Sequence, residues 1–146
     1  MSGSIKKVIL FGEYAGVHRY LRDGLRELGI SVKLVAGTSG WRKNPVDINL
    51  SSDFGGLFGK VDLYSRPFRL FDSFIKHDIV QFIDYHVFVT RFGINDLLVK
   101  KIIQGNTKSF LIATGCDMFV NEYYKRIENP ICNSCLKLDK QQTSCP

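Results

Sequence analysis

The chain has 146 residues, 45% of them apolar, enough to bury the core of one domain but not of two. Lys and Arg exceed Asp and Glu to give a formal charge of +6, a balance that favours anionic ligands or surfaces. No apolar run approaches the roughly 20 residues that cross a bilayer as a helix. The basic residues are scattered, without the Lys/Arg tract or interleaved aromatics of a nucleic-acid reader, so no nucleic-acid partner is expected.

Residues 1–5 read as a flexible leader without the apolar core of a signal peptide, and a cytoplasmic location is the expectation. The continuous apolar run Val8 to Phe11 then predicts a strand covered on both faces. Gly12 to Gly16 break it. From Val17 the period changes: Val17, Tyr20, Leu21, Leu25 and Leu28 form one helical stripe, with Arg19, Arg22, Asp23, Arg26 and Glu27 turned to water. Gly29 stands where a left-handed C-cap belongs, and Val32, Leu34 and Val35 begin a second strand. Strand, helix and strand within about thirty residues make a βαβ unit.

Residues 38–62 are rich in Gly and Ser and read as a long loop, with a short strand piece near Val46 to Leu50. Trp41 and Phe54 within it either tuck onto the core or await a ligand or second domain. Ser65, as cap, and Pro67, in the first turn, predict a helix start, with Phe68, Phe71, Phe74 and Ile75 as its buried stripe. That helix, flanked by Arg66, Arg69 and Lys76, is also a candidate for peripheral membrane contact. Asp78 to Ile83 is the third strand, and His77 before it is expected to face solvent. Phe88 to Gln104 holds a helix, clearest from Ile94, where Ile94, Leu97, Leu98 and Ile102 share a face. Gly105 ends it, and Ser109 to Ala113 is the fourth strand.

The alternation predicts an α/β fold: an open, mostly parallel Rossmann-like sheet over 6–129, with helices on both faces, followed by a cysteine-containing tail or linker, 130–146. The expected order of the four strands is 2-1-3-4. Ligands of such sheets bind beyond the carboxyl ends of the strands at the switch point. That rule selects three turns: Gly12 to His18, Asp84 to His86, and Gly115 to Asp117. Gly12 and Gly16 precede a helix N-terminus suited to a phosphate or carboxylate. The spacing is neither the dinucleotide fingerprint nor a Walker loop. Glu13 and Asp117 offer carboxylates at this edge. Asp84 and His86 form a pair for a ligand hydroxyl or proton transfer, or else a satisfied structural pair.

The cysteines are a second constellation. Cys132 and Cys135 have the C-x2-C spacing of two zinc thiolates, which Cys145 and Cys116 could complete. The irregular spacings of the other two favour ordinary reduced thiols in a linker over a zinc site, so no metal is expected.

The run from Gly12 to Val35 resembles the opening of the N-terminal domain of GT-B fold glycosyltransferases, the retaining group of glycogen-synthase-like and lipopolysaccharide-type enzymes. Val17, His18, Leu21, Leu25 and Gly29 match that family's aliphatic-His-x-x-Leu-x-x-x-Leu-x-x-x-Gly helix. Lys76 to Phe82 resembles its third strand, with Gln81 where histidine is frequent, and Ser109 to Asp117 its next strand and Gly-x-Asp turn. The similarity spans Lys6 to Asp117. It departs at Ala15-Gly16, where Gly-Gly is common.

The resemblance implies an acceptor-side domain for a glycan or lipid-linked sugar acceptor. The nucleotide-sugar donor would be gripped by a C-terminal domain, in cis or on a partner subunit, and this chain alone would hold no cofactor. It also implies a contact from His18 to sugar or donor phosphates, for which His18 is the catalytic candidate. By position alone, His18 could equally bond a neighbouring carbonyl at the start of its helix. The alternative reading is a stand-alone Rossmann-like or flavodoxin-like module for a phosphorylated ligand or protein partner, with or without a zinc-binding tail. A response regulator would need an acidic pair after strand one, where only Glu13 stands.

Overall fold

The computed structural model describes residues 5–37, 45–88, 90 and 93–112. Among these residues five parallel strands form one open sheet, β1 (Lys7–Phe11), β2 (Ser31–Ala36), β3 (Ile48–Asn49), β4 (Ile79–Phe82) and β5 (Lys108–Leu111), in the order β3-β2-β1-β4-β5. Three helices connect them: α1 (Val17–Glu27), α2 (Gly56–Arg69) and α3 (Ile94–Gln104). This is the predicted Rossmann-like α/β fold. The four predicted strands take the predicted order, and the short β3 adds an edge beside β2.

Period-two alternation divides the core into two layers. Ile9 and Phe11 of β1, with Val80 and Phe82 of β4, join Phe74, Phe88 and the Leu98, Val99 and Ile102 face of α3. Val8 and Leu10, with Val32 and Leu34, face the other way and are covered by Leu21 and Leu25 of α1. The sheet is therefore packed on both faces, which explains the unbroken apolar run of β1.

Helix α1 begins and ends near the predicted residues. Gly29 closes it at φ +77°: Gly29 N–H donates to Arg26 (2.9 Å) and Ile30 N–H to Leu25 (3.1 Å), a Schellman arrangement. Its inward face, however, is rotated from the expected stripe. Tyr20 is 67% exposed and Val17 and Leu28 are exposed, whereas His18 and Arg22 are buried beside Leu21 and Leu25. Arg22 is not water-facing as expected. It pairs with Asp23 (2.8 Å), donates to the Pro45 carbonyl (2.9 Å) and lies 3.8 Å from Asp47. Asp47 in turn accepts from Leu34 N–H and Arg26 (2.8 and 2.9 Å), tying α1 to the β2–β3 connection.

The second helix departs most from expectation. It starts at Gly56, inside the stretch read as loop, and Pro67 sits near its end rather than in its first turn. Pro67 cannot donate to the Leu63 carbonyl, and only two helical residues follow it. Ser65 is no cap: its hydroxyl donates to Asp62 O one turn back. Phe71 to Ser73 form a separate 3-10 turn, which delivers Phe74 fully buried into the core while Phe68 remains 51% exposed.

Two further corrections concern polar residues. His77 is buried rather than solvent-facing, and its N–H donates to Asn106 Oδ1 (2.8 Å). Asn106 also donates to Phe74 O and Ile102 O (2.9 and 2.6 Å), joining the end of α3 to the entry of β4. In α3, Leu97 is exposed, and Asn95 takes an inward position beside Leu98, Val99 and Ile102. Every residue of β5, at the sheet edge, is exposed.

Candidate functional site

Strand order makes the switch point fall between β1 and β4, whose partners run Val8↔Ile79 to Phe11↔Phe82. Their carboxyl ends bring two predicted turns together. Ile83 N–H donates to Phe11 O (3.0 Å), and Gly12 N–H donates to Val35 O of β2 (2.8 Å). Gly12 has φ +83°, and a Cβ there would lie 2.4 Å from Ile83 Cγ2, so both conformation and space require glycine. The sequence candidates Gly12, Glu13, Gly16, Asp84 and His86 all lie on this edge. Gly115, Asp117 and all four cysteines, Cys116, Cys132, Cys135 and Cys145, lie outside the described residues, as does Trp41.

His18 is fully buried, and both ring nitrogens are engaged inside the protein. Nδ1 lies 2.7 Å from Gly12 O, and Nε2 lies 3.1 Å from Gln81 Nε2 on β4. A carbonyl only accepts, so Nδ1 carries the proton and Nε2 accepts from the Gln81 amide. Burial lowers the His18 pKa from its ordinary 6.5, overriding the Gly12 carbonyl and the Glu13 charge, which raise it. The neutral ring thus clamps the first turn to β4. Of its two sequence readings, the structure gives the one in which His18 bonds a neighbouring carbonyl.

Glu13 answers the N-terminus of α1. Its carboxylate accepts from Gly16 N–H (2.5 Å) and Arg19 N–H (2.8 Å), so the anion that this helix end attracts is supplied by the chain itself. Tyr20 folds back over Gly16, with the Arg19 guanidinium 4.5 Å from its ring. After β4, Asp84 Oδ1 accepts from His86 N–H (2.9 Å), a turn-forming bond, and both residues are exposed. Asn95 of α3 fixes the same loop: Oδ1 accepts from Phe88 N–H, and Nδ2 donates to Tyr85 O, each at 3.1 Å. Burial and the neighbouring Asp96 raise the Tyr85 phenol above its ordinary pKa.

A pocket of about 410 Å³ also opens among residues that follow the parallel strands: Gly37 after β2, Leu50 to Ser52 after β3, and Val87 and Phe88 after β4. One side of α2 forms its wall, through Gly56, Gly59, Lys60, Leu63 and Pro67. Gly59 is required there, since a Cβ would lie 2.1 Å from the Phe54 carbonyl oxygen. The sequence reading missed this site because it took 38–62 as loop. The available signal was the Gly-Gly-x-x-Gly-Lys run at residues 55–60. An ion-pair cluster holds another side of α2: Asp62 pairs with Arg66 (2.7 Å) and Arg69, and Arg66 donates to Asn49 O (3.3 Å).

The buried histidines give a pH prediction. His77, like His18, has its pKa lowered, chiefly by burial and then by Lys33. The unfolded chain therefore takes up protons first as the pH falls below about 6.5, while these groups leave stability unchanged above it. Denaturant midpoints should decline from about pH 6.5 downward. A second decline should begin below the ordinary 3.8 of Asp78, whose pKa is lowered by the Lys6 and Lys7 amides. Midpoints that stay level from pH 7 to 5 would contradict the assignment of neutral buried rings.

Among the described residues no helix is long and apolar enough to cross a membrane. Compared with known proteins, the chain matches no family model, no curated protein and no solved structure.

Proposed function

We propose that the chain is the acceptor-side domain of a nucleotide-sugar-dependent glycosyltransferase, with the donor held by a separate domain or subunit. The observation that carries this reading is the β3-β2-β1-β4-β5 parallel order, which sets the Gly12–Gly16 and Ile83–His86 turns side by side at the carboxyl edge. The resemblance of the Val17–Gly29 helix and the Lys76–Phe82 strand to the transferase family lies in the elements that build this edge. Glu13 adds a chemical argument. With its carboxylate at the α1 N-terminus, this turn favours hydroxyl groups over a second anion. The exposed Asp84 carboxylate fits the same partner class. In such a domain His18 is a positioning residue, which keeps the Gly12 turn against β4.

The reading is tested by following backbone amide shifts while titrating glycans, alkyl glycosides, UDP- and GDP-sugars, and phosphate. Sugar acceptors should move Glu13, Gly16, Asp84 and His86, and nucleotide-sugars should not bind this chain alone. Shifts at those residues with phosphate or nucleotide, and none with any sugar, would replace the transferase reading with that of a phosphorylated-ligand module.

A further inference from the structure

We propose that the α2 pocket holds an anionic amphiphile: a hydrocarbon chain carrying one phosphate or carboxylate group. The walls supply the first half of the argument. Leu50, Phe54, Leu63, Pro67, Val87 and Phe88 line a space of about 410 Å³, a size that accepts a small organic ligand and not merely an ion. Lys60 supplies the second. It is the one charged side chain lining the pocket among the described residues, and it enters no ion pair among them. A single cation on an apolar wall complements one negative group attached to an apolar body.

The surface around the pocket decides between a soluble metabolite and a lipid. Phe54 lines the pocket and is also 65% exposed. Leu57 and Phe58, between the lining glycines Gly56 and Gly59, are 75% and 81% exposed. Apolar surface thus continues from the wall to the outside at this end of α2, as a tail longer than the pocket requires. A free phosphate or small sugar phosphate would gain nothing from it.

The inference deepens the acceptor reading by naming the acceptor's class, and it rests on that reading only for the acceptor role. Binding can be measured with no sugar donor present. The probes are dodecyl phosphate below its micelle concentration, dodecyl maltoside and inorganic phosphate, followed by calorimetry and by the amide shifts of Gly37, Gly56 and Gly59. Dodecyl phosphate should bind at these residues, with dodecyl maltoside weaker and inorganic phosphate without effect.

Lys60→Gln should weaken dodecyl phosphate by about tenfold and leave the maltoside unchanged, since a charged hydrogen bond is removed. Phe54→Gln should weaken both, and Leu63→Trp should fill the pocket and abolish both. Lys60 and Phe54 are exposed, so their variants keep the test open if Leu63→Trp does not fold. Equal responses to inorganic and dodecyl phosphate, or dodecyl phosphate binding unaffected by Lys60→Gln and Phe54→Gln, would overturn the assignment. Amphiphile binding without any glycan response would keep the pocket and remove the transferase. Glycan binding without amphiphile binding would do the reverse.

Discussion

Phe11→Ala is expected to destabilise the domain by about 3–5 kcal/mol, a large share of the 5–15 kcal/mol typical of a single domain. Phe11 is fully buried at the carboxyl end of the central strand. Its ring stacks on Phe82 (centroids 5.1 Å apart) and meets Phe74 and Phe88 edge-on (5.2 and 6.0 Å). These partners come from β4, from the residue that follows the 3-10 turn and from the loop before α3, so truncation removes contacts to three segments at once. Collapse around the cavity is hindered, because β1 is hydrogen-bonded between β2 and β4. Denaturant unfolding measures the loss, with Phe11→Leu as a milder control. A loss below about 1.5 kcal/mol would show that this aromatic cluster is not where the stability resides.

His18→Leu should cost about 2–4 kcal/mol, because the variant leaves two polar groups short of partners: the Gly12 carbonyl and the Gln81 amide. Gln81→Leu should cost less, since it strands only the His18 Nε2 acceptor. The double variant should be less damaging than the sum of the two, by about 0.5–3 kcal/mol, as expected of residues in one network. A pH series separates this clamp from generic packing. His18→Leu should remove part of the decline below pH 6.5 and leave the part due to His77. Were His18 instead a ligand contact, the variant would retain its stability and its pH profile and lose binding alone.

The residues of β1 and β4 show why so much of the fold was legible. Val8 to Phe11 is a short apolar run, and Ile79 to Phe82 is apolar but for Gln81; both are set off by glycine or polar punctuation, as suits strands of a parallel sheet covered on both faces. Alternation with helices then leaves few arrangements, and the switch point follows from strand order alone. Gly12, Glu13, Gly16, Asp84 and His86 were found at the carboxyl edge by that rule, without a specific motif.

Helix α2 shows what was not legible. Along Gly56 to Arg69 the side facing the pocket carries Gly56, Gly59, Lys60, Leu63 and Pro67, a side with little apolar bulk at its start. Meanwhile Leu57, Phe58, Val61 and Phe68 are exposed. Hydrophobic periodicity assumes that the large residues point inward, and here they do not. Ser65 and Pro67 imitate a helix start because both residue types are common there, yet the chain was already helical.

The sequence by itself determined four of the five strands, their parallel course and their order. These follow from local periodicity and from the limited ways of covering a sheet. Only the tertiary structure decided which polar residues lie inside, such as His18 against Gln81 and Arg22 against Pro45. Each of these two is buried because its partner, 63 or 23 residues away, satisfies its hydrogen bonds, and a polar side chain without that partner would have turned to water. The pocket has the same origin, since its walls come from segments that follow three different strands and meet only in the folded chain.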